Sequence, residues 1–288
     1  MAKFVVEGGH PVSGAIRPAG NKNEALPILA AALLTDEEVH LRNVPGIGDV
    51  NSLLTILESI GVETQRPREH EIMIRAETVR STGLPEELCQ KIRASILLSA
   101  PLLIRCGHAE IPLPGGDRIG RRRIDTHLLG FEALGAKYEL TDDVYRLWCD
   151  GRLKGADILL DEASVTATEN LVMAAALAEG ETVLRNAASE PHVQQLCNFL
   201  NRLGARIEGI GSNVLTIQGV DRLRSGTHRI AADYLEVGSF IALAAVTRGE
   251  LLIQDAAPEY MRMILYQFQR LGIEVEIRRD DIFVPSEQ

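Results

Sequence analysis

Residues 113 to 127 read LPGGDRIGRRRIDTH: a glycine turn ending on an acid, then three consecutive arginines, in a chain whose formal net charge is -10. A glycine turn that feeds a helix N-terminus presents unpaired N–H groups and the positive end of a dipole, which together seat a phosphate. Arg121, Arg122 and Arg123 would add guanidinium forks that match a diphosphate. Each feature also has a plainer reading. An arginine run serves equally as a solvated face, Asp117 after two glycines as a turn former, and His127 as a core histidine with a satisfied partner.

A second basic helix start points the same way. In GNKNEALPIL, Asn23 is a cap candidate and Lys22 is expected just outside the helix N-terminus; the stretch CQKIRASILL carries Lys91 and Arg93 at the corresponding place. The helix dipole disfavours a cation at that end, so a lysine there suggests an anionic ligand that outweighs it.

The elements that must position these residues come from internal repetition. LESIGVET, FEALGAKYE, LNRLGARIE and FQRLGIEVE each close an amphipathic run with a glycine and restart as a strand. Val50, Leu53, Leu54, Leu57 and Ile60 share one spacing with Val193, Leu196, Cys197, Leu200 and Leu203 and with Met261, Ile264, Leu265, Phe268 and Leu271, a single apolar stripe along a helix. Gly61, Gly135, Gly204 and Gly272 stand where a left-handed cap would stop it. Upstream of each stripe, ALPILAAALL, ASILLSAPLL, NLVMAAALAEG and SFIALAAVTRG predict helices buried nearly all round. The unit is strand, helix, strand, helix, strand, strand, recurring about every seventy residues. The second copy is the deviant one: its stripe places His127 where the others have Leu53, Leu196 and Ile264, and its longer connection holds the glycine and arginine run.

Composition removes several function classes. A net charge of -10 with one Trp, five Tyr and six Phe argues against a nucleic-acid groove. Cys89, Cys106, Cys149 and Cys197 are irregularly spaced, and the seven histidines form no HxH or HxxxH pair, so neither disulfides, a metal nor a cofactor is expected. MAKFVVEGGH lacks the charged and apolar regions of a leader, and the purest apolar run, 95 to 104, is too short to span a bilayer; the expected location is the cytoplasm, with no membrane partner. Oligomeric state is not legible.

GNKNEALPILAAALL, IRASILLSAPLL, LPGGDRIGRRRIDTHLLGFEALGA and SVTATENLVMAAALAEGETVLRNAASEP together resemble the enolpyruvyl (carboxyvinyl) transferases that act on UDP-N-acetylglucosamine, from the first strand to Pro285. The resemblance implies an α/β fold, the inside-out α/β barrel of two similar domains, each of three repeats with helices inside. Six repeats are implied and four are counted. The chain is therefore expected to hold one complete domain, 22 to 231, and part of a second, 1 to 21 and 232 to 288, without the C-terminal third. It also implies transfer of the enolpyruvyl group of phosphoenolpyruvate to the sugar 3-hydroxyl, with release of phosphate, at the first committed step of peptidoglycan synthesis. Lys22 and Asn23 fall where phosphoenolpyruvate binds, and Arg93 and Arg122 where positive charge engages the ligands. Arg122, Arg123, Ile124, Asp125 and Thr126, with His127 beside them, and Glu162, Ala163, Ser164 and Val165 match the loops that hold the UDP-sugar. Asp117 stands where most members carry cysteine; a carboxylic acid preserves proton donation to C3 and abolishes thiol chemistry, which implies insensitivity to the epoxide fosfomycin. Glu162 replaces a common lysine and Thr166 a common glycine. In the family the absent repeats supply the base for the sugar hydroxyl and further arginines, which leaves turnover by these 288 residues alone open. Two other readings stand beside this one: a non-catalytic UDP-sugar-binding fragment or paralogue, and the sibling transferase that takes shikimate 3-phosphate.

Overall fold

The computed structural model describes residues 3–116, 120 and 123–287. Asp117 and Arg122 lie outside the described residues, as does Arg121. The first repeat runs β1 (Ser13–Ile16), α1 (Lys22–Ala31), β2 (Glu38–Arg42), α2 (Gly48–Ser59), β3 (Glu63–Gln65) and β4 (Glu71–Arg75). The second has α3 (Glu86–Cys89), a 3-10 segment (Arg93–Leu98) leading into α4 (Ser99–Cys106), then β5 (His108–Pro112), α5 (Asp125–Ala133), β6 (Lys137–Thr141) and β7 (Val144–Trp148). The third comprises β8 (Asp157–Leu159), α6 (Val165–Ala176), β9 (Glu181–Arg185), α7 (Pro191–Arg202), β10 (Arg206–Glu208) and β11 (Val214–Gln218). The fourth comprises β12 (Gly226–Arg229), α8 (Tyr234–Thr247), β13 (Glu250–Ile253), α9 (Arg262–Arg270), β14 (Glu276–Arg278) and β15 (Asp281–Val284).

The sheets repeat one plan. In β12-β2-β4-β3, β8-β9-β11-β10 and β1-β13-β15-β14 the first strand pairs parallel with the second and the rest pair antiparallel. The sheet β5-β7-β6 has three strands, and Gly83 bridges Glu110 in parallel where an opening strand would lie. Contacts divide the chain into two compact units, Lys22–Ile230 and Met1–Asn21 with Ala231–Gln288. The opening strands of the first and fourth repeats are exchanged: β1 pairs with β13 in the smaller unit, and β12 with β2 in the larger.

In the larger unit α6 packs against α4, α5 and α7 and on β9 and β11, α4 packs on β5 and β7, and α1 lies against α2 and α7. Every residue of α6 from Ala167 to Ala176 is buried, as is every residue of α1 from Glu24 to Ala31. The stripes of α2 and α7 are buried, and their glycines end them with φ of +98° at Gly61 and +107° at Gly204. A Cβ on Gly130 of α5 would stand 2.2 Å from Leu171 Cδ1, so the glycine lets α5 lie close on α6.

Three expectations are corrected. The buried helix of the second repeat starts as 3-10 structure and becomes α-helical only at Ser99, two residues ahead of Pro101, which has no N–H to continue a ladder. Lys22 is the first residue of α1, so Asn23 lies inside the first turn and does not cap it. Helix α8 buries only Val237, Gly238, Ile241 and Ala244 and leaves Leu235, Leu243 and Val246 exposed, because it packs chiefly on β13 and β15, whereas α6 is also flanked by α4, α5 and α7. For the same reason the stripe of α9 is largely open, with Leu271 exposed and only Met261, ahead of the helix, fully buried.

Candidate functional site

The first turns of five elements meet at one cavity of about 340 Å³ in the larger unit. Lys22 and Asn23 come from α1, Asp49 from α2, Arg93 from the start of the 3-10 segment and Lys91 from the turn ahead of it, Val165, Thr166 and Glu169 from α6, and His192 from α7. Each helix start carries the positive end of its dipole, so the potential in the cavity favours an anion before any side chain is counted. Lys22 Nζ is held 3.2 Å from Asp49 Oδ2, which answers the cation at the helix start with an internal partner. Arg93 Nη2 donates to the Arg123 carbonyl at 2.8 Å.

The glycine turn reaches this cavity through Gly116, which lines it. Gly115 N donates to Cys89 O at 3.0 Å, and a Cβ at Gly115 would stand 1.7 Å from Gln90 O. Gly116 has φ +92° and packs on Arg93. Both glycines are thus required by close backbone approach and a left-handed conformation, and together they bind the turn to the segment that carries Lys91 and Arg93.

The two sugar-loop candidates are brought together by acids. Arg123 donates to Asp161 Oδ2 at 2.5 Å and to Asp125 Oδ2 at 3.2 Å, and its Nη1 lies 3.8 Å from Glu162. Thr126 Oγ1 donates to Asp161 Oδ1 at 2.8 Å. The hydrogen bonds to Asp161 and Asp125 raise the Arg123 pKa, while those from Thr126 and Arg123 hold the Asp161 carboxyl below the usual range. Arg123 is therefore neutralised locally by carboxylates, unlike the open diphosphate donor that the arginine run suggests. Ser164 caps α6, its Oγ accepting from Ala167 N at 3.4 Å, and its N–H reaches Glu162 O at 2.8 Å; Ala163 lies exposed between them. Ile124 precedes α5 and is buried.

His127 is core rather than lining: it is 1% exposed, with Nδ1 2.9 Å from Asn170 Nδ2 and Nε2 3.1 Å from Thr166 Oγ1. Burial, reinforced by the Arg93 charge, pushes its pKa down to about 3. The neutral ring accepts from the Asn170 amide at Nδ1 and hence donates from Nε2 to Thr166, whose own proton is left to point elsewhere. Asp49, Glu169 and His192 were not singled out from the sequence. A detectable signal existed for one of them, since a glutamate in the otherwise apolar TENLVMAAA is out of pattern. A second cavity, of about 330 Å³, is lined by Arg105 and Arg152, but these donate to the carbonyls of Leu33, Ala76, Leu177 and Val220 and hold structural joints. Among the described residues no group of three or more His, Cys, Asp or Glu could hold a metal ion, and no helix is long and apolar enough to cross a membrane.

Residues 6–288 match the family of EPSP synthase (3-phosphoshikimate 1-carboxyvinyltransferase). The chain belongs to the EPSP synthase family of enolpyruvyl transferases. Within this family it is 53% identical over 287 residues to the UDP-N-acetylglucosamine 1-carboxyvinyltransferase of Bradyrhizobium diazoefficiens, covering 99% of this chain and 66% of that protein. It is 50% identical over 288 residues to the protein of the same name from Treponema denticola, covering 100% and 67%. This family member thus spans about two thirds of the length of the curated relatives it matches. Its fold is that of the enolpyruvyl transferase NikO from Streptomyces tendae (TM-score 0.83, 24% identity, 96% of this chain and 66% of that one). It is also that of EPSP synthase from Acinetobacter baumannii (TM-score 0.77, 18% identity, 97% and 66%).

Proposed function

We propose that this chain carries the phosphoenolpyruvate seat and sugar loops of a UDP-N-acetylglucosamine 1-carboxyvinyltransferase, the peptidoglycan-pathway enzyme, working in the cytoplasm. The observation that carries the reading is the convergence of helix starts with Lys22, Lys91 and Arg93 on one cavity that Gly116 also lines. Such a site matches an anion bearing both a phosphate and a carboxylate, and the names of the relatives at 50% identity or more support the sugar nucleotide as the second substrate. The unit 22 to 231 is the complete three-repeat domain in this reading, and 1 to 21 with 232 to 288 part of a second.

In the reaction so assigned, the sugar 3-oxygen bonds to C2 of the enolpyruvyl group while C3 gains a proton from Asp117. Loss of that proton and of phosphate then restores the double bond. Lys22 and Arg122 carry charge to the phosphate and carboxylate, with Asn23 and Arg93 beside them. Arg123, Asp125, Thr126 and Glu162 to Val165 form the wall that receives the UDP-sugar, and His127 acts on that wall through Thr166. The base for the sugar hydroxyl is assigned to no residue of this chain.

The test is phosphate release from phosphoenolpyruvate with and without UDP-N-acetylglucosamine, by this chain and by a version extended with the remaining third of a relative. Release that requires the sugar nucleotide and the extension, and is lost in Asp117→Asn, is the expected result. Release with shikimate 3-phosphate instead transfers the assignment to the sibling reaction. Sugar-nucleotide binding without release by either version leaves only a binding function.

A further inference from the structure

Helix α6 is buried on all sides from Ala167 to Ala176, yet its third buried residue is Glu169. The residue is 1% exposed, and Oε1 has no hydrogen-bond partner. An unpaired polar atom in the core costs stability, and an apolar side chain would avoid that cost. Glu169 nevertheless lines the cavity, as does Thr166 three residues earlier on the same helix face. Around it stand Lys22 and Asn23 on α1, Asp49 on α2, Lys91 and Arg93 at the 3-10 segment, and His192 on α7.

We propose that Glu169 is a ligand-contact residue, whose carboxyl O–H donates a hydrogen bond to an oxyanion oxygen, phosphate or carboxylate, of the substrate held in this cavity. The proposal rests on the reading of the cavity as the phosphoenolpyruvate seat and adds a donor that no loop motif supplies. Burial first, and the Glu190 charge second, raise the Glu169 pKa well above the ordinary carboxylate value, which keeps the proton on the group. An uncharged acid beside a bound anion gives a directed donor without like-charge repulsion. The unpaired oxygen is then a cost borne by the fold for binding.

The experiment uses the full chain and the variants Glu169→Gln and Glu169→Met, titrated calorimetrically with inorganic phosphate and, separately, with pyruvate. Infrared difference spectra follow the protonated-carboxyl C=O band. Glu169→Met is expected to melt at a higher temperature than the parent and to bind the anion about tenfold more weakly, whereas Glu169→Gln, which keeps a donor, binds within about threefold. The carboxyl band shifts on binding in the parent and is missing from both variants. A shift with phosphate alone assigns the phosphoryl oxygen, and one with pyruvate alone the carboxylate. Unchanged binding by Glu169→Met, or a parent band that neither anion moves, overturns the proposal. A lower melting temperature with equal losses in both variants also overturns it, because it marks a structural residue. Neither probe needs the sugar nucleotide or turnover, so failure of the transferase assay leaves this test standing.

Discussion

His127 Nδ1 lies 2.9 Å from Asn170 Nδ2, and the same Asn170 amide donates to Ile96 O at 2.9 Å, so one buried contact joins α5, α6 and the 3-10 segment. The histidine takes the slot that leucine or isoleucine fills in the other repeats, so its exchange tests what the polar contact does. His127→Leu leaves the Asn170 donor and the Thr166 hydroxyl without their partner and is expected to cost about 1–3 kcal/mol in chemical denaturation at neutral pH. The pH dependence has a definite sign. Above the ordinary value of 6.5 both folded and unfolded forms are neutral; between 6.5 and about 3 only the unfolded form binds the proton. Stability therefore falls as the pH drops through that window, by up to about 1.4 kcal/mol per unit, and this part of the slope should vanish in the variant. An unchanged slope would show that His127 is not the group responsible.

The ion pair of Lys22 and Asp49 gives one cation of the cavity an internal partner. Lys22→Met should weaken inorganic phosphate binding by roughly tenfold, about 1–2 kcal/mol for a partly exposed charge. Asp49→Asn removes a competing carboxylate and should tighten it. Calorimetric titration at low salt measures both, and a lysine variant that binds like the parent removes Lys22 from the site.

Gly115 is the position at which a single methyl group should separate the loop from its support. A Cβ there meets the Gln90 carbonyl, which belongs to backbone and cannot rotate away. Gly115→Ala is expected to break the bond from Gly115 N to Cys89 O, to lower stability by about 1–3 kcal/mol and to weaken phosphate binding through Arg93. Gly135→Ala, at φ +91° with open space around it, is the control: strain without loop displacement, and binding retained.

A thiol at position 117 is what an epoxide antibiotic would alkylate. The parent should gain no fosfomycin adduct by intact mass, and Asp117→Cys should gain one that phosphoenolpyruvate alters. Background labelling at the native cysteines should be small at neutral pH, since burial raises all four thiols, Cys89 to about 11 and Cys197 to about 12, with Cys106 and Cys149 half-buried. Adduct formation in the parent would contradict the proposed role of the aspartate.

Salt should separate the two basic regions of the site. Arg123 is engaged by Asp125, Asp161 and Glu162, so Arg123→Gln removes one cation while freeing nearby carboxylates. Its effect on UDP-N-acetylglucosamine binding should exceed that on phosphate binding and shrink as ionic strength rises. Equal effects on the two ligands at all salt concentrations would place Arg123 in the phosphate seat instead.

Much of this was legible in the primary structure because repetition averages out local ambiguity. The stripes of α2 and α7 are buried residue for residue, and Gly61, Gly135, Gly204 and Gly272 all adopt positive φ, since period and capping are properties of the chain itself. Apolar content alone was a poorer guide. It could not separate α6, flanked by α4, α5 and α7, from α8, which packs chiefly on β13 and β15, because burial belongs to the neighbours and not to the helix.

At the site, residue types and spacing determined that cations gather at helix starts beside a glycine turn, and that the second repeat departs from its siblings at His127. Tertiary structure decided how those charges are used. Lys22 is partnered by Asp49, 27 residues away, and Arg123 by Asp161, 38 residues away, so the free charge suggested by the arginine run is partly taken up inside the protein. The states of His127 and Glu169 were settled in the same manner. A titratable side chain reads alike on paper whether solvated or enclosed, and only packing of α5, α6 and α7 supplied the desolvation that lowers the imidazole pKa and raises that of the carboxyl group.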